Sequence, residues 1–92
     1  MIVGFRHKGL KRLYENDDAR GIRADLLHRV RTILNQLDQA VTIEDMAMTS
    51  FRLHALKGDL KGFWAVTVRA NWRIVFRFEN GDASDVELID YH

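Results

Sequence analysis

At 92 residues the chain is long enough for one hydrophobic core and little more. With 47% apolar and 29% charged residues it reads as folded rather than disordered, and the lack of cysteine excludes a disulfide framework, a thiolate metal site and a thiol nucleophile. The net charge of +1 conceals a split: residues 1–77 hold all 14 Lys and Arg against 8 Asp and Glu, whereas residues 78–92 hold 5 acids and no base. A basic body suits a polyanionic partner through phosphate contacts, although an ordinary solvated surface accounts for its excess of +6 about as well. No apolar run approaches the roughly 18 residues of a membrane span, and the N-terminus shows no signal-peptide core. One domain over residues 1–92, cytoplasmic and with no membrane partner, is therefore expected.

In chain order, Ile2 to Phe5 suits a short first strand. Lys8 to Glu15 carries Leu10, Leu13 and Tyr14 on one helical face and Lys8, Lys11 and Arg12 on the other. Asn16-Asp17-Asp18 breaks that helix and Arg20-Gly21 turns the chain. Leu26, Leu27, Val30, Ile33, Leu34 and Leu37 then form one apolar stripe of a longer helix, suited to covering a sheet. Thr42 to Asp45 reads as a capped turn. From Phe51 the period changes to two. A short strand over 51–54 leads to the loop 57–62, a strand over 63–68, a turn over 69–71 and the strongest strand over 72–78. Asn80-Gly81 is a hairpin signal, and a last strand runs from 83 to 89.

The order β-α-α-β-β-β-β implies an α+β fold, with two N-terminal helices on one face of a mostly antiparallel four- to five-stranded sheet. The opposite face stays open and is where function is to be sought. A two-residue Asn80-Gly81 loop pairs Glu79 with Asp82. By counting, Arg77 then faces Ser84, Val75 faces Val86, Arg73 faces Leu88 and Asn71 faces Asp90. This register puts Arg73, Val75 and Arg77 on the open face with Ser84, Val86, Leu88 and Asp90, and sends Trp72, Ile74, Phe76 and Phe78 under the helices. Arg73 and Asp90 become diagonal neighbours, an arrangement that equally describes a weak surface salt bridge.

The company they keep points to chemistry. His54, Lys57, Asn71, Arg73, Asp90, Tyr91 and His92 lie on or beside the last four strands. Histidine moves protons near neutral pH, and arginine holds phosphate in a bidentate fork. No serine or cysteine nucleophile stands beside a base. Acid–base and anion-stabilising groups without a protein nucleophile suit a substrate that brings its own, as RNA does in its 2′-hydroxyl. His7 and His28, on the helical half, read as polar surface residues. Trp64 and Trp72 read as core rather than as base-stacking platforms. His54, Asp90 and His92 lack metal-ligand spacing, so no metal or cofactor is expected.

Arg52-Leu53-His54-Ala55-Leu56-Lys57-Gly58-Asp59, Gly62-x-Trp64, Val68 to Ile74, Gly81-Asp82-Ala83 and the terminal Asp90-Tyr91-His92 together resemble the HigB toxins of the RelE/ParE superfamily. The resemblance extends to Met1-Ile2, Phe5, His7-Lys8-Gly9 and Leu10, and so covers essentially the whole chain. It implies a ribosome-dependent endoribonuclease that cuts mRNA in the ribosomal A site by metal-free attack of the 2′-hydroxyl. It also implies a helix-turn-helix HigA antitoxin as partner, with operator DNA bound only through that antitoxin. On the same resemblance His92 and His54 divide the acid and base roles. Asp90 orients or balances a histidine or Arg73, Tyr91 assists, Arg73 stabilises the phosphorane and Lys57 supports it. Lys8, Lys11, Arg12, Arg20, Arg23, Asn71 and Arg77 are candidates for holding RNA. Two other functions remain open: a non-catalytic antitoxin partner that tunes transcription, and a ParE-like gyrase inhibitor.

Overall fold

The structure, a computed structural model, describes residues 1–91. Helix α1 spans Lys8–Asn16 and α2 Ala24–Gln39; strands β1 His54–Ala55, β2 Trp64–Arg69, β3 Trp72–Glu79 and β4 Asp82–Asp90 form one antiparallel sheet in that order.

Helix α1 begins at His7, whose Nδ1 accepts the Leu10 N–H at 3.1 Å and so replaces the usual hydroxyl or carboxylate cap. It ends at Asp17, left-handed at φ 53°, whose N–H donates to Leu13 while that of Asp18 donates to Arg12. Helix α2 buries Leu26, Val30, Ile33, Leu34 and Leu37, the apolar stripe read from the sequence. They pack with Val66, Val68, Ile74, Phe76, Val86 and Leu88 of the sheet and with Met46 and Phe51 of the connector. Each such side chain contributes roughly 1.5–3 kcal/mol by leaving water. Arg29 fastens the layers, donating to the Ser50 and Thr67 carbonyls with its guanidinium 5.0 Å from the Phe51 ring. The capped turn at Ile43–Met46 has its box complete, Thr42 and Asp45 each accepting the other's N–H. No helix among the described residues is long and apolar enough to cross a membrane.

Three expectations are corrected. Residues 2–5 form no regular strand: Ile2 and Phe5 bridge in parallel to Ala83 and Val86, covering part of the β4 edge. Residues 51–54 are not a strand either. Thr49–Phe51 is a 3-10 turn that drives Phe51 into the core, Arg52 is left-handed at φ 51°, and pairing starts only at His54.

The third correction concerns register. Asn80 (φ 52°) and Gly81 (φ 81°) make the expected tight turn, with Glu79 opposite Asp82 and Arg77 opposite Ser84. Beyond that β4 carries one extra residue, and Asp85 sits left-handed at φ 52°. Val75 therefore pairs with Glu87, Ile74 with Leu88, Arg73 with Ile89 and Trp72 with Asp90. Ala83, Val86 and Leu88 must all reach the helix-side core, and their uneven spacing of three then two fits a pleat only if the ladder slips by one. Asp90 accordingly falls on the side of Leu88 and Trp72, not on that of Arg73. Nor is the far face bare, because Leu56, Phe63, Ala65 and Val75 bury a second, smaller cluster there.

Candidate active site

The far face of the sheet is built in cross-strand rows. His54, Ala65, Val75 and Glu87 form one row; Thr67, Arg73 and Ile89 form the next, towards the β2–β3 turn. His54 and Arg73 thus share a face, separated by two strand spacings and one two-residue step, about 12 Å between Cα atoms. That span lets an imidazole and a guanidinium approach a phosphodiester from opposite sides.

His54 is exposed, on the edge strand. Its Nδ1 lies 3.1 Å from the Arg52 carbonyl oxygen. A carbonyl can only accept, so Nδ1 carries the proton, and in the neutral ring Nε2 keeps the lone pair. The left-handed turn at Arg52 thereby selects the tautomer. Lys57 is exposed and precedes the 3-10 turn Gly58–Leu60, in the loop that leaves β1.

Arg73 is half-buried. Its Nη1 donates to the carbonyls of Ala70 (2.6 Å) and Trp72 (3.1 Å), anchoring the guanidinium to the tight turn where Ala70 is left-handed at φ 51°. Its Nε is buried with no hydrogen-bond partner among the described residues. A buried donor without an acceptor costs about 1–3 kcal/mol, which an anionic oxygen would return. Tyr91 follows β4 and donates its N–H to the Asn71 carbonyl at 2.7 Å, so the exposed side chains of Asn71 and Tyr91 stand at the Arg73 end of the sheet. Asp90 is exposed opposite Trp72. His92 lies outside the described residues.

The other candidates scatter. Arg77 is on the same face four residues from Arg73. Lys8, Lys11 and Arg12 share the outer side of α1. Arg20 is held by Asp18 and Arg23 by Asp25, which lessens their charge towards a partner; the Arg20 fork also holds the Asp18 carboxyl well below the ordinary carboxylate range. His7 caps α1, and Trp64 and Trp72 pack against the main core. A groove between α1 and α2, lined by Tyr14, Asp17, Arg31 and Asp38, holds no histidine and is well away from this face. Sequence reasoning missed Arg6, Phe63 and Asp85 on the far face. The uneven spacing of Ala83, Val86 and Leu88 was the signal that would have exposed the bulge.

Two helices over this four-stranded sheet, with a basic, histidine-bearing far face, define a RelE-like build. The YoeB–YefM toxin–antitoxin heterotetramer of Staphylococcus aureus contains a chain of similar fold (TM-score 0.62, 16% identity, 100% of this chain and 95% of that one). YafQ from E. coli strain BL21(DE3) does too (TM-score 0.55, 13% identity, 96% and 89%). At the level of sequence, the chain is 46% identical over 92 residues to Endoribonuclease HigB of Proteus vulgaris, covering all of both. The family description "RelE-like toxin of type II toxin-antitoxin system HigB" matches residues 3–92, and the chain belongs to this HigB-like toxin family.

Proposed function

We propose that the protein is an endoribonuclease toxin that cuts mRNA in the A site of translating ribosomes, without a metal, and so halts translation. The observation that carries this reading is the pairing, on one sheet face, of a histidine with its Nε2 lone pair available and an arginine with an orphaned buried donor.

The RNA supplies the nucleophile. His54 Nε2 takes the proton of the 2′-hydroxyl as its oxygen attacks the adjacent phosphorus, and His92 protonates the leaving 5′-oxygen. Arg73, fixed by two carbonyls, places its remaining donors against the equatorial oxygens of the phosphorane. Lys57 adds a positive field from the neighbouring loop. Tyr91 assists by its hydroxyl or by stacking a base, and Asp90 balances a histidine from the end of the strand. Asn71 and Arg77 hold the RNA beside the site, while Lys8, Lys11, Arg12, Arg20 and Arg23 face ribosomal RNA. Residues 1–92 act as one toxin domain in the cytoplasm, away from membranes. A HigA-like helix-turn-helix antitoxin neutralises it and carries it to operator DNA.

Expression without antitoxin should arrest growth and leave translation-dependent cuts visible by primer extension. Replacement of His54 or His92 by alanine should lower cleavage by roughly 10²–10⁴-fold. A His92→Ala protein that cuts as fast as the wild type would refute the catalytic assignment of that residue.

A further inference from the structure

At the end of the far face remote from Arg73, two arginines share one ring and one carboxylate. The Arg77 guanidinium carbon lies 4.4 Å from the Phe63 ring centroid and that of Arg6 lies 5.3 Å from it. Asp85 reaches both, Oδ1 lying 3.6 Å from Arg6 Nε and Oδ2 3.4 Å from Arg77 Nε. These three charged side chains come from the N-terminal segment, β3 and the β4 bulge. The bulge turns Asp85 towards the arginines, and Gly62 (φ 95°) lets the loop pass, since a Cβ there would sit 3.0 Å from Arg77 Nη1.

We propose that Arg6 and Arg77 form a second contact for the phosphodiester backbone of single-stranded RNA, which rests on the reading of the protein as a ribonuclease. Three features favour phosphate over a purely structural strap. The group holds two cations and one anion, so it keeps a net positive charge. Both ion pairs use Nε, and among the described residues neither outer Nη fork makes a hydrogen bond, while the side chains remain 53% and 48% exposed. Stacking on a buried ring has already restricted both guanidiniums, which reduces the ordering cost of gripping a ligand. Arg77 stands four residues along β3 from Arg73 on the same face, about 13 Å away. A strand with one phosphate at Arg73 therefore meets this pair with phosphates farther along its backbone. The contact would hold the strand in register and leave the chemical step to the other end.

The test is a fluorescence-anisotropy titration of a single-stranded oligoribonucleotide, made uncleavable by a 2′-deoxy nucleotide at the cut position, across a range of salt concentrations. The Arg6→Gln/Arg77→Gln double variant should bind more weakly, and its slope of log K against log salt should flatten by about 1.4, two phosphate contacts on a single strand. Asp85→Asn should bind more tightly than wild type, because asparagine tolerates the left-handed backbone and removes the competing charge. A merely structural carboxylate would show a lowered melting temperature with no gain in affinity. An unchanged slope in the double variant while Arg73→Ala weakens binding overturns the second contact alone. If neither change affects binding, or the wild type does not bind at low salt, this face holds no free strand and the second contact falls, while the ribonuclease reading is judged separately by cleavage on programmed ribosomes. Loss of antitoxin binding with RNA affinity intact would assign the pair to a protein partner and likewise overturn the proposal.

Discussion

The two faces of the sheet are built to different rules. On the helix side, nineteen buried residues among those described, from the N-terminal segment to β4 but none from β1, merge into one core. On the other side, among the described residues, only Leu56, Phe63, Ala65 and Val75 are buried, and around them stand His54, Arg73, Arg77 and Glu87, all partly or fully in solvent. The first face supplies most of the stability, while the second uses a small apolar patch to stiffen a floor for charged groups. Changes on the two faces should therefore separate cleanly between folding and activity.

The largest effect that could break this division is expected at Arg73. Arg73→Ala should slow single-turnover cleavage on programmed ribosomes by roughly 10²–10³-fold, the scale for losing one oxyanion donor, with little change in melting temperature. A large loss of stability instead would mean that its carbonyl anchors serve the turn rather than the site. On the opposite face, Ile33→Ala should cost about 2–5 kcal/mol in urea unfolding, from lost burial and the cavity left behind, while the folded fraction cleaves at the normal rate. Gly81→Ala, at φ 81°, should cost on the order of 1 kcal/mol by straining the β3–β4 turn, again with activity per folded molecule preserved.

The smallest expected effect concerns pH and the helix side. The Asp38 carboxyl accepts the Ile2 N–H at 3.0 Å and the Tyr14 hydroxyl at 2.7 Å. These bonds hold its pKa below the ordinary carboxylate value and raise that of Tyr14. Because the folded-state pKa is the lower one, this stabilisation is complete above the ordinary carboxylate range and fades as pH falls through the depressed value. Asp45, held down by the Thr42 and Val41 N–H groups, adds in the same sense. Thermal melts of Asp38→Asn and wild type should differ at neutral pH and converge in acid. A constant offset would show that the carboxylate charge is not what matters.

How much was legible in the sequence differs between the faces in the same way. The α2 stripe and the Asn80-Gly81 turn follow from local rules, periodicity and backbone sterics, and both stand as expected. His54 and Arg73 fall on one face because each pairs through β2 without a slip between them. Asp90 was misplaced because counting from a turn assumes an unbroken ladder. What breaks the ladder is a packing demand from Val86 and Leu88, met at Asp85 by a conformation that aspartate does not announce. Residues 51–54 misled for a related reason. The burial of Phe51 is settled by α2 and the sheet, and the reversal at Arg52 has no glycine to mark it.

A strand carries a single binary quantity along its length, which side is up, and ordinary pairing can only transmit it. Asp85 inverts it. Everything downstream reads in the opposite sense from what the hairpin dictates, so a position six residues away from Tyr91 decides that Ile89 floors the far face and Leu88 seals the core. Were Asp85 instead to take an ordinary place in the ladder, the two faces would be exchanged for the rest of the strand, whereas its deletion would leave Val86 and Leu88 on the core side.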